Sequence, residues 1–336
     1  MKVFFSSYRN PNFITITEYI ENALKILGCE ALYFNNREFI IPGSIRDRVA
    51  YLNRLDLKRI NKKLIAEIKS FKPDLFLEAG GHRIFLETVE EIKRHGIKTA
   101  LWTIDSPIDF KPVIKAAPHY NFVFTGGSEA YDILKEAGVK SLHWLPFACD
   151  PDIHKPVKVT DEDKKIYGCD VSFVGSHYPV REALFTGLSD FVLGIWGPGW
   201  DKLPNNSPLK KCIRGLHTKP DEWLKIYSSS KIILSQHYSD PEGRIPCHQA
   251  SPRVYEVLAC GAFLMVDGQR DVTRLFKDRE ELVIFRDTGE LKRLIRYYLE
   301  RPEERKRIAD NGRKKVLAEH TYRHRVQKIL RIAGLS

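Results

Sequence analysis

An arginine and a glutamate three residues apart, at the start of one short helix, are the pair in this chain best suited to chemistry. They lie in SPRVYEVLACGAFLMVD, Ser251 to Asp267. Ser251 is a good N-cap, Pro252 suits the first helical position, and Gly261 can take the left-handed conformation that closes a helix. Arg253 and Glu256 therefore share a face on the first turn, where unpaired backbone N–H groups and the helix dipole favour negative charge. Such a place can hold an anion. A local ion pair between the two side chains is the simpler alternative.

The elements around this pair follow from hydrophobic periodicity. In the first half, KVFFSS, ALYFN, DLFLEAGG, KTALWTID, YNFVFTGG and SLHWLP read as strands, with helices over 14–27, 45–71 and 83–95 and a further one ending near Ala137. Strands alternating with helices imply a parallel sheet covered on both faces. Pro, Asp and Lys crowd CDPDIHKPVKVTDEDKK, which reads as a linker. The pattern then restarts with DVSFVGS, FVLGIWG, KIILSQ, AFLMVD and LVIFRD as strands and helices from 220, 252, 289 and 302. The expected architecture is α/β, with a first domain over 1–150 and a second over 151–318. A terminal helix within 319–336 is expected to pack back on the first domain. Ligands of such sheets bind beyond the carboxyl ends of the strands, so a site in a cleft between the two domains is expected.

Composition narrows the class. The 336 residues are enough for two domains of ordinary size. No apolar stretch approaches the roughly 20 residues of a membrane span, and the opening MKVFFSSYRNPNF lacks the hydrophobic core of a signal peptide. A cytoplasmic location is expected. The six cysteines are scattered with no CxxC pair, which points away from a zinc ribbon or a disulfide framework. The net charge of +11 calls for an acidic partner. From Glu290 to Arg331 there are 14 Lys and Arg against 6 Asp and Glu. That surplus is either a solvated helical face or a surface for anionic lipid at the inner membrane face or a charged acceptor. Nucleic acid ranks below these, because no aromatic-interleaved signature accompanies the charge.

DVSFVGSHYPVREAL, HWLPFACDPDIHKP and SPRVYEVLACGAFLMVD together resemble the CgeB-like (spore-maturation-type) branch of the group-1 glycosyltransferases of the GT-B fold. The likeness is strongest over 142–267 and extends weakly through WTIDSP and HTYRHRV. It implies two Rossmann-like domains facing across a cleft and a nucleoside-diphosphate sugar as donor. It also implies that Arg253 holds the diphosphate and that Glu256 takes the ribose hydroxyls. A guanidinium can grip phosphate with two hydrogen bonds, and a carboxylate can accept from vicinal hydroxyls.

Around this pair, Gly175 and Ser176 end the strand DVSFVG and either let backbone amides approach a phosphate or sugar or form a plain turn. Gly197, in IWGPGW, reads as a boundary of the base pocket, with His217 and Lys219 nearby and Lys219 the better suited to phosphate. IWGPGW lacks the third glycine of a dinucleotide fingerprint, so a nicotinamide cofactor is not expected. Many retaining relatives carry a second glutamate eight residues before the helix glutamate. Here that position is His248, and Glu242 resembles it only with an insertion, so retention and inversion both stay open. For an inverting transfer Asp105, at the end of ALWTID, is the first choice of general base unless it merely caps the next turn. His82, after FLEAGG, is the second, since an imidazole titrates near neutrality.

No metal site and no resident cofactor are expected. Asp161 to Asp163 spells DxD but lies in the charged linker, where it reads as solvated. His320 and His324 share a helix face but lack a third ligand. Trp196, Trp200 and Trp223 read as core and pocket wall. The expected activity is metal-independent transfer of a sugar to a hydroxyl on a cell-surface glycan, a lipid-linked glycan or a protein. A nucleotide-sugar epimerase and a non-catalytic nucleotide-sugar-binding protein are the alternatives.

Overall fold

A computed structural model describes residues 1–11, 14–104, 110–219, 221–240 and 245–335. The chain divides into two compact units, Met1–Pro146 with Tyr322–Ser336, and Phe147–Thr321. Each is built on its own six-stranded sheet in which every paired neighbour is parallel.

The first sheet has the order β2-β1-β3-β4-β5-β6, from β1 (Lys2–Ser7), β2 (Glu30–Asn35), β3 (Leu75–Ala79), β4 (Lys98–Thr103), β5 (Phe122–Thr125) and β6 (Leu142–Trp144). The central strands are buried on both faces, as expected when helices cover a parallel sheet. α1 (Ile16–Ile26) opens on a capping box in which Thr15 and Glu18 satisfy each other's backbone N–H groups. The helix expected over 45–71 is in fact two, α2 (Gly43–Arg46) and α3 (Ala50–Phe71), separated by a break at Asp47–Val49. α4 (Leu86–Arg94), α5 (Lys111–Ala116) and α6 (Ser128–Glu136) complete the layers. Phe4, Phe76, Leu64, Ile68 and Val123 are fully buried in this unit's core.

The last helix, α14 (Tyr322–Ile332), belongs to the first unit. Tyr322 is buried with its ring centre 5.3 Å from Tyr19 and 6.3 Å from Trp102. Arg325 donates to the Pro146 carbonyl at 2.7 Å.

The second sheet has the order β12-β11-β10-β7-β8-β9, from β7 (Val171–Val174), β8 (Leu193–Trp196), β9 (Ile213–Gly215), β10 (Ile232–Ser235), β11 (Leu264–Asp267) and β12 (Val283–Phe285). Its helices are α7 (Asp161–Tyr167), α8 (Pro179–Thr186), α9 (Glu222–Ser229), α10 (Pro252–Ala259), α11 (Arg270–Leu275), α12 (Thr288–Leu299) and α13 (Pro302–Glu319). Of these elements β9, α8 and α11 were not expected. The 149–165 stretch is not a plain linker, because it ends in α7, where Thr160 and Asp163 form a capping box and Lys225 holds Asp163 at 2.8 Å. Asp163 is buried rather than solvated. His320 stands in the break between α13 and α14, so it does not share a helix with His324.

Candidate functional site

The chain runs outward from β7 through β8 to β9, then returns to the centre and runs the other way from β10 through β11 to β12. The loops leaving β7 and β10 therefore diverge, and the carboxyl ends of these two strands mark the switch point where ligands of such sheets bind. Two glycine-dependent contacts shape that point. A Cβ on Gly175 would lie 2.3 Å from a terminal nitrogen of Arg253, whose guanidinium sits 4.8 Å from the centre of the Phe173 ring. Gly197 has φ +136°, and a Cβ there would meet the Gly175 carbonyl oxygen at 2.2 Å. The N–H of Gly175 donates to Trp196 at 2.8 Å, and its carbonyl accepts from the Trp200 indole at 2.9 Å. The Gly175 amide is thus already engaged, and its missing side chain makes room for the Arg253 guanidinium. Trp200 is fully buried and Trp196 nearly so.

A second arginine crosses the same point. Arg181, on the first turn of α8, donates through Nη1 to the Ser176 carbonyl at 2.7 Å. Through Nε and Nη2 it donates to the Gln236 carbonyl at 2.9 and 2.7 Å. It ties the loop after β7 to the loop after β10 and lies against the rings of Phe173 and Tyr178. Burial, with the like charge of Arg253, brings its pKa down to about 9, which leaves it cationic at neutral pH. Among the described residues neither Arg181 nor Arg253 forms an ion pair with a carboxylate. Two guanidiniums against one phenyl ring, with no carboxylate bound to either, form a cationic pair suited to an anion.

α10 presents Arg253 in its first turn and Glu256 in its second. Ser251 caps it through its backbone conformation alone, and its buried Oγ has no hydrogen-bond partner among the described residues. The Ser251 N–H donates to His237 Nε2 at 2.9 Å, and His237 Nδ1 lies 2.6 Å from Asp267. Since Nε2 accepts, the ring proton lies on Nδ1 and is shared with Asp267. Asp267, at the end of β11, also accepts from the His237 N–H at 3.0 Å and from Gln269 at 2.9 Å. Burial works against its charge, but the electrostatic attraction of His237 and these donors more than offset it and hold its pKa below the usual range. The start of α10 is therefore fixed by residues of β10 and β11, which sequence spacing did not bring out.

Glu256 has 22% of its side chain exposed, and burial pushes its pKa up to about 7 against the opposing charge of Arg253. One of its oxygens lies 3.8 Å from Nε2 of His154, which is fully buried and accepts the Asp150 N–H through Nδ1 at 2.8 Å. Burial brings His154 down to about 4, so it is neutral and offers an N–H toward the carboxylate. Trp223 packs on His154 at 5.4 Å and on Tyr227 at 5.7 Å. Tyr227 is buried and hydrogen-bonded to Arg253, and desolvation raises its pKa.

His217 and Lys219 are exposed on the loop after β9, with the Lys219 N–H on Glu222 at 2.7 Å. That loop leaves the sheet edge two strands from β7. His248 is tied to α11, its carbonyl accepting from Asp271 at 3.0 Å. Glu242 and Asp105 lie outside the described residues. In the first unit His82 is half-buried in the turn after β3. Near it is Glu78, a fully buried acid that accepts from Gly81 at 3.2 Å and from the Tyr120 hydroxyl. Desolvation raises Glu78 to about 7. A glutamate inside the apolar run DLFLEAGG was the signal that could have found it. Among the described residues no group of three or more His, Cys, Asp or Glu side chains is arranged to hold a metal ion.

Residues 179–331 match the family described as Glycosyl transferase-like. The chain is 20% identical over 269 residues to the spore protein CgeB of Bacillus subtilis (strain 168), covering 77% of this chain and 82% of CgeB. Its fold is similar to that of a sucrose-phosphate synthase from Thermosynechococcus elongatus, with a TM-score of 0.71 at 10% identity over 98% of each chain. It is likewise similar to Anabaena Alr3699/HepE, solved in complex with UDP-glucose, with a TM-score of 0.66 at 11% identity over 99% of each chain. The second unit has the strand order of a dinucleotide-type sheet and a cationic switch point, and the family match covers most of that unit and runs into α14. With the similarity to CgeB along most of the chain, residues 179–331 are glycosyl transferase-like in sequence, and the chain has the fold of the GT-B glycosyltransferases.

Proposed function

We propose that the protein moves a sugar from a nucleoside-diphosphate sugar to a hydroxyl acceptor, and that the diphosphate binds between Arg253 and the loops after β7 and β10. One observation carries this reading: Arg253 and Arg181 converge on Phe173 at the switch point with no carboxylate among the described residues bound to either. The orphaned Ser251 Oγ at the amino end of α10 adds a polar group for the same ligand. Glu256, one turn further on, supplies the carboxylate for the ribose hydroxyls. HepE, of similar fold, was solved with UDP-glucose, which supports a nucleotide sugar as the donor class.

Leaving-group charge in this scheme is met by the guanidiniums and helix amides in place of a divalent ion, as preorganised donors stabilise developing charge. The hydroxyl of the acceptor is deprotonated by Asp105 or by His82. The acceptor is a glycan, lipid-linked glycan or protein.

Titration calorimetry with UDP, GDP and dTDP tests the reading. One of the three is expected to bind, and Arg253→Ala is expected to weaken it about tenfold to a hundredfold, the worth of one or two charge-assisted hydrogen bonds. Unchanged affinity in the variant refutes the site. Turnover that persists in chelator supports the absence of a metal requirement, and loss of turnover refutes it.

A further inference from the structure

Thirteen large hydrophobic side chains stand exposed among the described residues, and five of them fall within one stretch of the first unit. These are Ile40, Ile45, Val49, Tyr51 and Leu55, at 69, 50, 43, 69 and 40% exposure. They span the loop after β2, the short α2 and the first turns of α3. The loop is held in place: the buried Asp56 carboxylate accepts from the N–H groups of both Ile40 and Ile41 at 3.0 Å. The Arg46 guanidinium covers the Phe39 ring at 3.7 Å. Ile40 is thus fixed in its outward position.

The outer face of α3 continues the pattern with charge. Tyr51, Arg54, Leu55, Lys58 and Lys62 are exposed and spaced i, i+3, i+4, i+7 and i+11, while Ile60, Leu64 and Ile68 face the core. No acid occupies the first turn of α3. Among the described residues Arg48, Arg54, Lys58 and Lys62 enter no ion pair, whereas Lys63 and Lys69 do. The basic helices α12 and α13 differ in their apolar content, although Arg293, Arg307 and Lys314 there are exposed and enter no ion pair among the described residues. Their exposed large hydrophobics reduce to Tyr297, and Lys292, Lys306 and Lys315 are paired with Asp190, Asp310 and Glu319.

From this we propose that the α2–α3 face lies on an anionic lipid bilayer, with the isoleucines, Tyr51 and Leu55 entering the interface and the unpaired cations meeting lipid phosphates. Apolar side chains interleaved with cations suit interfacial binding, whose strength grows with both buried apolar area and attraction to anionic lipid. A second copy of this chain fits less well. In a two-fold contact the same face meets itself, and Arg54 and Lys58 would oppose like charges. Nucleic acid would use the cations and leave the isoleucines without a role.

The test is co-sedimentation of the full chain with vesicles of phosphatidylcholine alone or with one-third phosphatidylglycerol. Binding is expected to the anionic vesicles, falling with salt. Two variants are each expected to lower it by about tenfold or more, from a contribution of about 1 kcal/mol per interfacial cation and comparable terms per apolar group. They are Ile45→Ser with Tyr51→Ser and Leu55→Ser, and Arg54→Gln with Lys58→Gln. Lys306→Gln with Lys314→Gln is expected to stay within about twofold. All three sets are surface changes, and thermal melts confirm that each variant folds. The proposal is overturned by absence of vesicle binding, by an apolar variant that binds like the parent, or by loss confined to the Lys306 and Lys314 variant. It is also overturned if sedimentation velocity shows a dimer that the apolar substitutions dissociate, or if an RNA oligomer binds in a manner that depends on Arg54 and Lys58 but not Leu55.

Discussion

Glu256 faces two opposing influences. Desolvation lifts its pKa to about 7, and the Arg253 charge beside it pulls the other way without winning. Only the ionised form accepts two hydrogen bonds from a ribose diol without itself needing an acceptor. Donor affinity is therefore expected to rise with pH from about 6 to about 8 as the carboxylate ionises. In Glu256→Gln that slope should vanish and affinity should sit at or below the low-pH value of the parent. Calorimetric titrations of the nucleotide at a series of pH values check this, and a slope that survives in the variant would assign it to another group. Sign and window follow from the direction of the shift: an acid near 4.3 in the unfolded chain and near 7 when folded is protonated through that interval. The same shift makes Glu256 lower folding stability as pH rises from about 4.5 to about 7, with no further change above. Donor binding and stability should thus respond to pH in opposite directions.

Helix α10 owes its direction to its own sequence and its position to other strands. Pro252 and Gly261 bound it locally, and Gly261 has the left-handed φ of +68° that its place after the helix requires. The Ser251 N–H, however, is held by His237 from the end of β10, and His237 by Asp267 from the end of β11. His237→Leu would leave a buried N–H and a buried carboxylate without this partner. The KM for donor is expected to rise about tenfold, with kcat changing less, because a shifted α10 start misplaces Arg253. His237→Gln, whose side-chain carbonyl can accept from Ser251, should recover most of the loss. Steady-state kinetics decide it: equal damage from Leu and Gln, or a fall confined to kcat, removes His237 from this positioning role.

On the scale of the whole chain, the first unit is completed by residues more than three hundred positions from its first strand. α14 buries Tyr322, Val326, Ile329 and Leu330, and Lys98 holds the Ala333 carbonyl at 2.7 Å. Ending the chain after Thr321 would uncover Tyr19 and Trp102 and remove several fully buried side chains, each worth about 2–5 kcal/mol. The first unit's marginal stability cannot absorb that. Amide hydrogen exchange of the truncated protein is expected to show lost protection in β1, β3 and β4 while β7, β10 and β11 remain protected. Retained protection in the first sheet would show that α14 is dispensable.

Strand and helix periods, and the bounds of α10 at Pro252 and Gly261, depend on neighbours within a few residues, so they were legible along the chain. The two parallel sheets, the placement of Arg253 on a short helix and the independent α14 all follow from that local information. The unit boundaries fall at Pro146 and Thr321 rather than at 150 and 318, a small difference at the chain crossings. Arg181 was overlooked because α8 is short and begins behind a proline, and its partners are carbonyls 5 and 55 positions away. Gly175 stood open between an amide approaching phosphate and a plain turn, because only the folded sheet shows Trp196 already holding that N–H. Which side chains converge at a switch point is set by strand order, and strand order is a long-range property. Local periodicity determined that there would be two sheets with a charged helix start. Only the crossover from β9 back to β10 decided that Arg181, His237 and Asp267 would stand around it.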